Sequence, residues 1–433
     1  MKRAAVVAIA FAAWLLPAAS QAVLYIDINA PGGKRMPVAV PDFVLTSGDA
    51  SMAKAVPAVI AGDLGMVGLF AVIPPDAYLE RITPRHFAGT PLSFPDWKLS
   101  GAEAVVIGNV TARGNQVTLE MRLYDATLGT MMAGRRYSGP AAMYRKMAHK
   151  FSNEVLYAFT GVRGIFDTEI AFSAHPGKGR GKEIFVVGLD GQDLRKVTEN
   201  RSFNLFPRWS PAGSALAYTS YRTGVPVIYH RDLDKGAERA VVAFGSSKSP
   251  GSFSPDGNAL YVAVSVDGNS DIYRVRLDGS RAEKVVDGFG IEVSPSVSPD
   301  GRSMAFVSDR GGSPQVYVKQ IGAAAERRVS YAGGYSTSPA WSPAGDRIAF
   351  TSLSGGSYAL YSVRPDGSDQ KLIASGGGDC VDPCYSPDGR YLVYTFQKKG
   401  YSDLKIISAD GRWERQLLSG MAGAGSPSWS PRR

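Results

Sequence analysis

The pattern of apolar and polar positions divides this chain into three stretches. Residues 4–16 are continuously apolar, residues 23–160 mix helical and strand periods, and from residue 161 onward short apolar runs bounded by Ser, Pro, Asp and Gly read as one strand after another. In the middle stretch, residues 23–28 and 37–43 predict strands, 51–70 carries apolar residues at helical spacing, and 102–110 with 116–124 predict a hairpin about Arg113, Gly114 and Asn115. Tyr144, Ala148, Phe151, Val155 and Phe159 recur at intervals of three and four, which predicts an amphipathic helix stopping at Gly161.

The third stretch repeats itself. A phrase of aromatic or Val, then Ser, Pro, Asp or Ala, and Gly starts at Trp209, Phe253, Val297, Trp341 and Tyr385; its first three letters return at Trp429, always 44 residues on. Seven residues into each unit comes an apolar triplet, starting at Leu216, Leu260, Met304, Ile348 and Leu392, followed by a third strand and a short fourth. This period predicts propeller blades of four antiparallel strands. In the turn, proline presets the second position, aspartate tolerates the third, and glycine accepts the positive φ from which the next strand departs. Backbone demands thus account for the aspartates, which are read as turn residues rather than catalytic groups or calcium ligands. The first unit begins at Ile170 without a phrase, and the last phrase has no strands after it; joined, they complete a sixth blade and leave no open edge. The expected fold is an all-β six-bladed β-propeller over residues 161–433, preceded by a smaller mixed α/β domain over 23–160.

The apolar run changes the picture of the N-terminus. Lys2 and Arg3 precede it, and Ser20, Gln21 and Ala22 follow, so residues 1–22 read as a secretory signal peptide cleaved after Ala22. The formal charge of +9 is spread with both signs interspersed, without the basic block of a nucleic-acid binder. His86, His149, His175 and His230 are scattered and offer no zinc spacing. Cys380 and Cys384, the two cysteines, are a candidate local disulfide that requires residues 381–383 to form a turn. No Gly-x-Ser-x-Gly, phosphate-cradling loop or His-Glu-x-x-His occurs; Ser51 and Lys54 match Ser-x-x-Lys in form, but a helix start explains them. On the residues alone, a propeller hydrolase or lyase acting on peptide or glycan in the central channel stays open beside an interaction scaffold.

The run Thr160-Gly-Val-Arg-Gly-Ile-Phe-Asp-Thr-Glu-Ile-Ala-Phe172, with the 102–125 hairpin, the exported N-terminus and the Ser-Pro-Asp-Gly units, resembles the TolB family of the Tol-Pal envelope system over essentially the whole mature chain. The resemblance implies a periplasmic, non-enzymatic, monomeric protein without cofactors. It implies binding of the peptidoglycan-associated lipoprotein Pal at one propeller mouth and of TolA through the first mature residues, in support of outer-membrane integrity and division. Bacteriocins, and outer-membrane proteins, are further implied partners. By position, the TolA-binding segment is Val23, Leu24, Tyr25, Ile26, Asp27 and Ile28, whose apolar residues suit pairing with a partner's sheet edge, or else form an internal strand. For the lipoprotein, topology selects the segments just before each phrase. The candidates there are Asn204, Ser247, Lys248, Pro250, Glu292, Val293, Thr337 and Asp382.

Overall fold

The computed structural model describes residues 35–177, 181–288 and 290–432. The expected signal peptide at 1–22 and the tail from Val23 to Ile28 lie outside the described residues. The first part of the chain builds one sheet from β1 (Met36–Ala39), β2 (Val44–Ser47), β3 (Phe70–Val72), β4 (Ala104–Arg113), β5 (Gln116–Asp125) and β6 (Thr130–Pro140). The strands run in the order β3-β1-β4-β5-β6, with β2 also on β4. Helices α1 (Met52–Met66) and α3 (Tyr144–Thr160) cover one face, while the short α2 (Phe94–Leu99) lies on the other and buries Trp97. Alternation does the sorting in β5: Val117, Leu119, Met121 and Leu123 all point into the face that α1 and α3 cover.

Two local details explain where the helices run. Pro57 sits inside α1 and cannot donate to the carbonyl four residues back, yet that carbonyl, of Ala53, accepts the Phe43 amide at 2.8 Å, so no backbone group is orphaned. The helix expected across 51–70 ends at Met66, because Phe70 is taken into β3 beside Met36. Helix α3 ends as its sequence predicts: Gly161 takes φ +67° and its amide caps the Tyr157 carbonyl at 2.8 Å.

From residue 169 onward, six four-stranded sheets form among the described residues. Blade one is Asn204–Trp209, Ala215–Ser220, Val227–Asp232 and Glu238–Val242, and the next four blades repeat that order. The sixth is composite: β7 (Glu169–Ala174), β8 (Glu183–Gly188) and β9 (Arg195–Lys196) receive the C-terminal strand Gly425–Trp429 as their innermost member. Trp429 pairs with Ile170, Ser428 with Ala171 and Gly425 with Ser173. The ring closes as the repeat predicts.

The repeated phrase performs two jobs. Within a blade, its serine holds the turn: the Ser386 hydroxyl donates to Asp388 at 2.6 Å and accepts the Tyr391 amide at 3.0 Å. Between blades, its glycine lies against the proline of the preceding phrase. A Cβ on Gly301 would stand 3.3 Å from Pro255, and one on Gly389 3.5 Å from Pro343, at φ values of +71° and +74°. Among the described residues, no helix is long and apolar enough to cross a membrane.

Candidate functional site

The innermost strand of each blade is a sheet edge, and together these strands line a central channel of about 460 Å³. Each is bulged at one place. Phe206, Ser294, Ser338, Asp382 and Ser426 take φ between +51° and +55°, each just before a proline, and the pairing register breaks there. Blade two carries Pro250 and Gly251 instead and breaks at the same level. Past the bulge, a side chain reaches the neighbouring blade: Ser252 accepts the Val297 amide at 2.9 Å, Ser296 that of Trp341 at 3.0 Å, and Ser428 that of Trp209 at 3.3 Å. The hoop is therefore stiff. Asp382 is the one carboxylate lining the channel among the described residues, and it accepts from serines of both flanking blades, Ser338 at 2.9 Å and Ser426 at 3.3 Å. Arg208 is the one cation there; its Nε donates to the Gly251 carbonyl at 2.8 Å and its Nη1 to that of Pro207 at 2.9 Å.

The two mouths of the channel differ. One carries the Ser-Pro turns and is capped over blades five and six by the N-terminal part: the Tyr391 hydroxyl meets the Val67 carbonyl, and Arg415 reaches Met66. Among the described residues, the N-terminal part does not cover the opposite mouth. Exposed apolar side chains lie on segments leading into inner strands, namely Phe203, Phe244, Ile291 and Tyr335, at the bulge of an inner strand, namely Phe206, and at turns between second and third strands, namely Tyr221, Val225, Leu353 and Tyr401. Ile291 is 51% exposed and Phe203 47%. Aromatic and aliphatic side chains held out on a rigid rim are suited to desolvated contact with a protein.

The residues expected at this rim divide. Ser247 is exposed, Val293, Thr337 and Asp382 are half-buried, and Pro250 is buried in the channel wall. Asn204, Lys248 and Glu292 do not reach the surface: they are 0, 4 and 0% exposed. They occupy one position in three successive blades and staple the loops there. The Asn204 amide donates to Glu183 at 2.9 Å, the Lys248 ammonium to the Pro226 and Gly245 carbonyls at 2.6 and 2.9 Å, and Glu292 accepts from Ser308 and Arg310 at 2.9 and 3.0 Å. The expected disulfide is not formed. Cys380 and Cys384 are both free thiols, because residues 381–383 bulge within a continuing strand rather than folding back as a turn. Cys380 is buried, and burial pushes its thiol up to about 11; Cys384 accepts the Trp429 amide at 3.3 Å. The apolar rim residues are not among the candidates that topology alone selects. The signal was present in Phe203, Phe206 and Tyr335, aromatics at positions before the phrase where the repeat requires none.

At the capped mouth, charge is buried between the two parts of the chain. His149 of α3 faces Asp63 of α1 through Nδ1 at 2.8 Å and Asp190, in the turn after β8, through Nε2 at 3.3 Å. Arg145 pairs with Asp190, and Arg415 donates to the Leu189 carbonyl. Burial pushes the Asp63 carboxyl up, against the opposing pull of His149. Burial also works against the Asp190 carboxylate, but hydrogen bonds from His149 and the Gln192 amide outweigh it and hold that group well below the usual range. Ser51 stands at the start of α1, its amide donating to Asp49 at 2.9 Å. Among the described residues, no group of three or more His, Cys, Asp or Glu is arranged to hold a metal ion.

Comparison with known proteins bears on both parts. The TolB beta propeller domain model matches residues 157–433 and the TolB amino-terminal domain model residues 24–132. The Tol-Pal system protein TolB of Jannaschia sp. (strain CCS1) is 39% identical over 202 residues, 46% of this chain and 45% of that protein. Its namesake in Cereibacter sphaeroides (strain ATCC 17029 / ATH 2.4.9) is 36% identical over 251 residues, 56% and 55% of the two chains. The chain spans about half the length of the curated relatives it matches. The crystal structure of TolB from Acinetobacter baumannii is similar with a TM-score of 0.80 at 25% identity, covering 92% of this chain and 98% of that one.

Proposed function

The chain belongs to the TolB family, and from that premise we propose that it is a non-catalytic interaction scaffold of the Tol-Pal system in the periplasm. The peptidoglycan-associated lipoprotein docks on the uncapped mouth, and the segment from Val23 to Ile28 engages TolA. The two contacts connect an inner-membrane machine to the outer membrane, in support of envelope integrity and constriction, and bacteriocins exploit the same surfaces. One observation carries the reading: the exposed aromatic and aliphatic side chains on the mouth that the described residues of the N-terminal part leave free. Exposed apolar rims on monomers mark sites of protein contact, and anchors of this kind supply most of an interface's affinity. In a titration against the soluble domain of a Pal homologue, replacing Phe203 and Ile291 together by Ser is expected to weaken binding at least tenfold. Unchanged affinity in that double variant, or no binding by the parent protein, sinks the reading. Deleting residues 23–34 is expected to abolish capture of the TolA C-terminal domain.

A further inference from the structure

We propose that blade one carries a carboxylate-binding subsite inside the channel, formed by Arg208 with Phe206 beside it, which takes an acidic side chain next to an apolar one on an inserted segment of a protein partner. The proposal rests on the scaffold reading of the mouth and names the chemistry of what enters it. Position 208 recurs in the other blades as Ser252, Ser296, Ala340, Cys384 and Ser428. A serine there suffices to tether neighbouring blades, as Ser252 and Ser296 do. A long cation is not needed for closure, yet blade one has one.

Among the described residues the Arg208 guanidinium forms no ion pair, and the Asp382 carboxylate acts on it only from a distance. The guanidinium spends two of its five N–H groups on the Gly251 and Pro207 carbonyls. Asp382, the other charge lining the channel, is engaged by Ser338 and Ser426. A guanidinium held by neutral acceptors, with N–H groups left over in a fork, matches a carboxylate in shape and charge. Phe206 supports the same conclusion independently. It holds φ +55°, where the equivalent blade positions carry Ser294, Ser338, Asp382 and Ser426, and it is exposed on the channel side of the rim. A bulky residue in that backbone region is uncommon, and such outliers gather at binding sites.

The test uses the mature chain and two capped peptides, acetyl-Leu-Glu-Leu-amide and acetyl-Leu-Gln-Leu-amide, titrated by ligand-observed NMR. The Glu peptide is expected to bind at least tenfold more tightly, with a preference that shrinks as salt rises. Arg208→Gln should make the two peptides equal, Arg208→Lys should restore part of the preference, and Phe206→Ser should weaken both. Equal binding of the peptides by the parent protein overturns the proposal, and that comparison stands even if Arg208→Gln fails to fold. Displacement of the Glu peptide by equimolar inorganic phosphate also overturns it, as the site would then take any small anion. A Pal-homologue domain bound equally by the parent and Arg208→Gln removes the subsite and leaves the scaffold reading intact. No binding of that domain, with the Glu preference preserved, removes the scaffold reading and keeps the subsite.

Discussion

At the residue scale, His149 makes a demand that geometry alone sets. Both ring nitrogens face carboxylates, Asp63 at 2.8 Å and Asp190 at 3.3 Å. A neutral imidazole has a single N–H, so only the imidazolium donates to both. Burial opposes that charge, but the hydrogen bonds to Asp190 and Asp63, and their charges, outweigh it and push the ring up to about 9. Arg145 and Arg415 also feel Asp190, so each acid has more than one cation near it. The folded-state value lies above the ordinary 6.5, so the contribution of His149 is fully present below about pH 6.5 and is lost as pH rises through about 9. His149→Gln removes the one cation that hydrogen-bonds both buried carboxylates and leaves Asp63 with only the more distant Arg415, which costs about 3 kcal/mol at pH 6. Urea unfolding of both proteins from pH 6 to pH 10 should show their gap narrowing across that window. A constant gap would mean that the ring is neutral in the fold.

Among elements, the strand Gly425–Trp429 has the largest consequence for its length, because five residues turn an open array into a ring. Trp429 is its key: the indole N–H donates to the Thr168 hydroxyl at 2.8 Å and the ring is buried. Trp429→Ala should cost about 3–5 kcal/mol, read as a lowered denaturation midpoint, whereas Ser426→Ala on the same strand should be nearly silent. Equal effects would place the closure elsewhere. The strand was legible in the sequence because turn chemistry is local: Ser, Pro and Gly state their backbone geometry wherever they stand. The bulges one turn away were not legible, since Phe206, Ser294 and Asp382 are left-handed with no glycine to announce it. Asn204, Lys248 and Glu292 share one buried position, but three unlike chemistries display no period, and polar residues in a loop read as exposed. Cys380 and Cys384 misled for a related reason, as a bulge and a tight turn use the same residue types.

On the scale of the whole molecule, the two parts share one core rather than touching at a polar seam. Val56, Leu64 and Phe159 from the helices, Ile165 and Phe166 from the connection, and Leu189, Ile406, Leu417 and Trp429 from blades five and six belong to a single buried cluster. The connection is also tied back to α3, with Asn153 donating to Asp167 at 2.7 Å and accepting the Phe166 amide at 3.0 Å. Contacts between domains of one chain are ordinarily polar and permit relative motion; here the apolar cluster continues through the seam, with the ion pairs of His149 inside it. The physical consequence is coupled unfolding, because neither part keeps its buried surface once the other melts. Calorimetry of the mature protein should therefore give one transition, with calorimetric and van't Hoff enthalpies in agreement. Leu189→Asp places an unpaired carboxylate in the seam and should split that transition in two, the six-bladed ring melting later than the N-terminal sheet. Two transitions in the parent protein would show that the seam is a loose contact, and would remove the rigid frame that holds the uncapped mouth opposite the N-terminal part.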